Sequence, residues 1–122
     1  MLQWHKVEFA RCPQVFATAA HGEVRLWHIT SCRELLRVVV PNATCLCLAF
    51  THAGDALLTG WDDGSVRAFG PQTGKLLYTV AAHHKPVTAL AVCLADDRLL
   101  TGGADGMVRV WHVRPCPCNQ AI

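Results

Sequence analysis

The sequence repeats itself at a fixed interval. The segments His21-Gly-Glu-Val-Arg-Leu-Trp27, Asp63-Gly-Ser-Val-Arg-Ala-Phe69 and Asp105-Gly-Met-Val-Arg-Val-Trp111 align column by column, and their closing aromatics stand at evenly spaced positions 27, 69 and 111. Gly22, Gly64 and Gly106 keep the same step, as do Val24, Val66 and Val108, and Arg25, Arg67 and Arg109. A period of roughly 20–50 residues marks an array of like supersecondary units, each needing a neighbour to cover its apolar face.

The rest of each unit obeys the same step. Ala56-Leu-Leu-Thr-Gly60 and Arg98-Leu-Leu-Thr-Gly102 are separated by it, with Val15-Phe-Ala-Thr-Ala19 a weaker counterpart. Thr44-Cys-Leu-Cys-Leu-Ala-Phe50 and Val87-Thr-Ala-Leu-Ala-Val92 precede them, and Glu34-Leu-Leu-Arg-Val-Val-Val40 and Lys75-Leu-Leu-Tyr-Thr-Val80 follow the aromatic. These runs, about 5–7 residues long and rich in Val, Leu, Thr and aromatics, have strand length and strand composition. Turn formers separate them: Ala53-Gly-Asp55, Asp62-Asp-Gly64, Pro71-Gln-Thr-Gly74, Ala95-Asp-Asp97 and Asp105-Gly106. Asp-Gly between short strands signals a hairpin, because glycine accepts the positive φ that such turns require. No stretch carries a sustained helical period. The expected fold class is therefore all-β, built from four-stranded antiparallel units.

A unit of this length, with Asp-Gly before a closing aromatic, resembles the WD-repeat family of β-propellers. The resemblance covers residues from about Lys6 to Val113 and is most specific in the third unit. It implies a hydrogen-bonded network of a His before the first strand, a Ser or Thr on the second, an Asp in the next turn and a Trp on the third. The third unit matches with His83, Thr101, Asp105 and Trp111. The second keeps Thr59 and Asp63, but Phe69 cannot donate a hydrogen bond and Pro41 stands where the His belongs. The first has Ala17, His21 and Trp27 in the corresponding places. The first two units are thus expected to rely on packing alone.

The resemblance implies an incomplete WD-repeat β-propeller of about two and a half four-stranded blades. Its expected parts are a degenerate first blade at residues 1–42, a second at 43–82, a third at 83–113 without its last strand, and a tail at 114–122. Propellers close with about 4–8 blades, so the expectation is a fragment or truncated form with bare edges and doubtful stability alone. The runs Arg33-Glu-Leu-Leu-Arg37, Val40-Pro-Asn-Ala-Thr-Cys45, Gly60-Trp-Asp-Asp-Gly64 and Val66-Arg-Ala-Phe-Gly-Pro71 are similar to text in a ciliary member of the family. That likeness implies a structural protein of motile cilia and flagella, in the cytoplasm and axoneme, bound to doublet microtubules. Tubulin and other microtubule inner proteins are then the implied partners. The alternative is a substrate-recruiting or signalling adaptor in the cytosol.

Composition narrows the remaining classes. A 52% hydrophobic chain with 16% charged residues is no disordered segment. Eleven Lys+Arg against nine Asp+Glu, scattered singly, do not form a nucleic-acid footprint. The longest stretch without Asp, Glu, Lys or Arg, Val38–Gly54, is interrupted by Pro41, Asn42 and His52. It falls short of the membrane helix's requirement of about 20 predominantly apolar residues. Gln3, Trp4, His5, Lys6 and Glu8 break up any apolar core of a signal peptide. The chain reads as soluble and unsecreted, with no membrane and no nucleic acid among its partners.

Seven cysteines without regular spacing read as reduced thiols. Cys45 and Cys47 with His52, and Cys116 and Cys118 with His112, lack the paired spacing of a zinc site. Period two puts Cys45 and Cys47 on one strand face as core residues, and the terminal pair reads as a tail. No nucleophile signature surrounds any cysteine, and Gly102-Gly-Ala-Asp-Gly106 lacks the Lys-Ser/Thr of a phosphate loop. The expectation is no enzyme, no catalytic residue, no cofactor and no metal. A protein-interaction scaffold remains. Trp61, in the turn where the third unit has Gly103, is the candidate partner anchor, because Trp is enriched at interface hot spots; the competing reading folds it onto the adjoining blade. Asp62, His84 and Lys85 are expected on the same face. Arg25, Arg67 and Arg109 are expected to be solvated charges on apolar stems.

Overall fold

A computed structural model describes residues 4–9, 15–52, 54–93 and 97–112. They form nine strands: β1 (Trp4–Phe9), β2 (Val15–His28), β3 (Glu34–Phe50), β4 (Leu57–Trp61), β5 (Ser65–Phe69), β6 (Leu76–Ala81), β7 (Val87–Val92), β8 (Arg98–Gly103) and β9 (Val108–His112). All pairing is antiparallel between neighbours in sequence, β1 through β6 in one ladder and β7 through β9 in another. No helix among the described residues is long and apolar enough to cross a membrane. Cys12, the stretch after His112 on which the expected lack of a fourth strand in the third unit rests, and the tail with Cys116 and Cys118 lie outside the described residues.

Two strands are longer than their runs predict, because two expected breaks are bends. β2 turns back at Gly22, whose φ is +79°, so that the ring of Phe16 stacks 6.4 Å from that of Trp27. β3 passes from the first unit into the second through Pro41 and Asn42; its first half pairs with β2 and its second with β4. Asn42 takes φ +62°, a left-handed conformation that Asn tolerates better than most residues.

The first strand of every unit carries a bulge that the alternation rule does not foresee. Register slips between Trp4 and Lys6 in β1, between Cys45 and Cys47 in β3, and between Val87 and Ala89 in β7. One extra residue reverses which side the following residues face. Cys45 and Cys47 are both buried, yet they enter different clusters, which corrects the expectation that they share a face.

Those clusters are the seams between units. Val24, Leu26 and Val38 of the first unit meet Cys45, Leu48, Leu57, Trp61 and Phe69 of the second. Cys47, Leu58, Val66 and Ala68 of the second unit then meet Val87 and Leu99 of the third. Each fully buried Leu or Val contributes about 1.5–3 kcal/mol relative to exposure, so a unit draws its stability from its neighbours.

Candidate functional site

In the third unit the loop entering β7 carries His83, β8 carries Thr101, the next turn carries Asp105 and β9 carries Trp111. His83 Nδ1 lies 3.0 Å from Asp105 Oδ2, and His83 Nε2 lies 2.8 Å from Thr101 Oγ1. Trp111 Nε1 donates to the same hydroxyl at 3.1 Å. The neutral tautomer with its hydrogen on Nδ1 satisfies every group. The indole N–H donates to Thr101, the hydroxyl donates to Nε2, and Nδ1–H donates to the carboxylate. The Met107 amide, followed by the His83 ring, holds the Asp105 carboxyl below its ordinary pKa against the opposing effect of burial. A Cβ on Gly103 would stand 2.6 Å from His83 Cγ and 2.7 Å from Asp105 Oδ1, so this network requires glycine there.

The second unit solves the same problem with other residues. Pro41 stands in the His column, and Trp61 stands in the column of Gly103, where a Cβ would collide with a ring placed like that of His83. Trp61 is 0% exposed. Its Nε1 donates to Thr59 Oγ1 at 2.7 Å, and Thr59 donates onward to the Arg67 carbonyl at 2.8 Å. The Arg67 guanidinium lies 5.2 Å from the Trp61 ring centroid, a cation–π distance. Trp61 as an exposed anchor is therefore corrected: burying a large ring whose one polar group finds an acceptor is favourable. Asp63 turns to its own hairpin, accepting from Ser65 N at 3.0 Å, Ser65 Oγ at 2.6 Å and Arg67 Nη2 at 3.0 Å. Burial tends to raise the Asp63 pKa, but the Ser65 and Arg67 bonds outweigh it and hold the carboxyl low.

The first unit also keeps a polar tie. Thr18, one position beyond Ala17, accepts from Trp27 Nε1 at 2.9 Å. His21, in the aspartate column, reaches across to Thr44 in the second unit. The expectation that the first two units lack such bonds does not hold, because a hydroxyl one residue along, or an indole at the end of β4, meets the same need. The adjacent Thr18 was the signal available in the sequence.

The arginine column is engaged as well. Arg25 pairs with Glu23 at 2.7 Å and Glu34 at 3.3 Å, and Arg109 Nη1 donates to the Ala82 carbonyl at 2.6 Å. The reading of freely solvated charges is corrected accordingly.

Asp62, His84 and Lys85 are exposed, and one contact brings their loops together. Gly64, with φ +87°, offers its carbonyl to the amides of Ala82 at 3.1 Å and His83 at 2.9 Å. A Cβ at Gly64 would fall 2.0 Å from the His83 carbonyl oxygen. The turn after β4 and the loop before β7 thus form one rigid end with charges of both signs. Among the described residues no group of three or more His, Cys, Asp or Glu is placed to hold a metal ion. Burial pushes the Cys45 thiol far up, out of the reactive thiolate range.

Three comparisons bear on this architecture. The family described as "WD domain, G-beta repeat" matches residues 74–112. Cilia- and flagella-associated protein 52 of Chlamydomonas reinhardtii is 59% identical over 78 residues, covering 63% of this chain and 13% of that protein. The Bos taurus protein of the same name is 46% identical over 101 residues, covering 82% and 16%. The chain thus spans a small part of the length of these relatives. A solved structure entitled "Crystal structure of RRP9 WD40 repeats" superimposes with a TM-score of 0.87 at 24% identity, over 93% of this chain and 36% of that one. With its evenly spaced repeat, its hydroxyl-centred networks and these matches, the chain carries a WD domain, G-beta repeat at residues 74–112 and has the fold of an incomplete WD40 β-propeller.

Proposed function

We propose that the chain is a non-catalytic protein-interaction scaffold of motile cilia and flagella, associated with axonemal doublet microtubules. The observation that carries this reading is the 59% identity to a cilia- and flagella-associated protein across 78 residues. The architecture is compatible with a scaffold: its buried hydroxyl, imidazole and indole groups bond to one another. Tubulin and neighbouring microtubule inner proteins are the proposed partners. Asp62, His84 and Lys85 are the proposed contact residues, held at one rigid end by the bonds between Gly64 and the loop entering β7.

The test is fractionation of ciliated cells expressing the tagged chain. Copurification with axonemes and resistance to salt extraction are expected, with weaker retention for the Asp62→Lys, Lys85→Glu double variant. A wholly soluble pool bound to cytosolic partners would overturn the ciliary reading in favour of an adaptor.

A further inference from the structure

The outermost strands of the first two units occupy the same place and differ in charge. The first half of β3, residues 34–40, pairs with β2, and β6 pairs with β5; among the described residues no further strand pairs with either. In the first unit this edge is charged: Arg37 reaches Glu34 at 3.2 Å and Glu23 at 3.6 Å. Charge on an edge strand discourages pairing with a foreign strand. β6 has no such guard. It reads Leu-Leu-Tyr-Thr-Val-Ala, with Leu76 in the column of Glu34 and Thr79 in the column of Arg37. Leu76 is 53% and Leu77 45% exposed, and Thr79 and Ala81 are exposed as well.

The unit that bears β6 is flanked on both sides. Leu57, Trp61 and Phe69 meet the first unit, whereas Leu58, Val66 and Ala68 meet the third. Both broad faces of its sheet are therefore occupied by seams. What this unit presents outward is the edge of β6, with its row of N–H and C=O groups pointing away from β5. Such an edge, with no Gly, Pro or charge along it, is a template for one more strand.

Charge selects the occupant. The sequence has no Asp or Glu at positions 64–95, while exposed Lys75 enters β6 and the loop leaving it carries exposed His84 and Lys85. We propose that β6 accepts an extended segment of a partner protein as a further antiparallel strand. The segment is uncharged over about six residues and bounded at each end by Asp or Glu. Six residues of strand span about 20 Å, which sets one carboxylate toward Lys75 and the other toward the His84–Lys85 loop. A second β6 fits worse. Paired parallel it would set Lys75 beside Lys75, and paired antiparallel about Thr79 it would bring Lys75 to the His84–Lys85 loop, so like charges meet either way. This edge serves a scaffold in any compartment, and its test is separate from axonemal fractionation.

The test is an amide NMR titration of the full chain with the peptide Glu-Val-Thr-Val-Thr-Val-Glu. Shifts and slowed amide exchange confined to β5 and β6 are expected, with none over residues 34–40. The peptide Lys-Val-Thr-Val-Thr-Val-Lys is expected to bind at least about ten-fold more weakly. Thr79→Glu gives β6 a charge of the kind that guards the first unit. It is expected to keep its far-UV circular dichroism while the dissociation constant for the acidic peptide rises roughly ten-fold or more. Should Thr79→Glu lose its strand signal, Leu77→Glu carries that arm. Absence of β6 shifts at about 1 mM peptide, shifts centred on another strand, or equal binding of the two peptides would overturn the proposal. Outward β6 amides already protected without peptide would also overturn it. Protection lost on dilution would assign the edge to a second copy, and protection independent of dilution to another segment of the same polypeptide.

Discussion

Thr59 and Thr101 occupy the same place in successive units, and both hydroxyls accept an indole N–H. The indoles come from different strands: Trp61 from the threonine's own strand β4, Trp111 from β9, the strand after Thr101. In the third unit Trp111 reaches over from the next strand and His83 supplies the second bond, which leaves room only for glycine at 103. In the second unit Pro41 stands in place of the imidazole, Phe69 in place of the strand indole, and Trp61, the last residue of β4, supplies the N–H to Thr59. What the fold requires is a satisfied buried hydroxyl with aromatic volume beside it. It does not require one fixed set of side chains.

This comparison can be broken most strongly at Trp61. Trp61→Ala should cost about 3–5 kcal/mol in urea unfolding, the range for emptying a buried aromatic site. If the two arrangements are interchangeable sets, the triple change Pro41→His, Trp61→Gly, Phe69→Trp should be more stable than Trp61→Gly alone. Next come the paired glycines. Gly64 and Gly106 have φ of +87° and +81°, but only Gly64 has a neighbour within 4 Å of an added Cβ. Gly106→Ala should therefore show conformational strain alone, about 1–2 kcal/mol. Gly64→Ala should cost about 3 kcal/mol, because it also drives the His83 carbonyl away.

Smaller differences sharpen the comparison. Thr101→Val strands the buried side-chain groups of both His83 and Trp111 and should cost about 2–3 kcal/mol, whereas Thr59→Val strands one buried side-chain group, the Trp61 indole, besides losing its bond to the Arg67 carbonyl, and should cost about 1–2 kcal/mol. The smallest effect is acid sensitivity. Asp105 has a lowered pKa in the fold, so its contribution is present above about pH 4 and lost as pH falls through the folded value. Asp105→Asn should flatten part of the acid unfolding curve. Asp63 and Asp97 are also held low, so some dependence should survive.

The strands and hairpins were legible because they depend on local signals that the constant step repeats three times. The turn at Asp62–Gly64 and the His83–Thr101–Asp105–Trp111 network follow from residue type at fixed columns. The position of Trp61 did not, since it is buried among residues distant in sequence, Val24, Leu26 and Val38 of the first unit with Leu48 and Phe69 of the second. The faces of Cys45 and Cys47 were misassigned because a bulge at Leu46 breaks period two without any Gly or Pro to announce it. Pro41 and Asn42 look like a break between strands, yet β3 bends through them with its pairing handed from β2 to β4.

Hydrogen exchange of the indole N–H groups tests the central claim most directly. Proton NMR resolves these resonances, and Trp61→Phe assigns the relevant one by its disappearance. The account predicts that Trp61 Nε1–H exchanges as slowly as Trp111 Nε1–H in the folded chain, and that Thr59→Val accelerates it selectively. Exchange of Trp61 at the rate of a solvent-exposed indole, unchanged by Thr59→Val, would contradict the account.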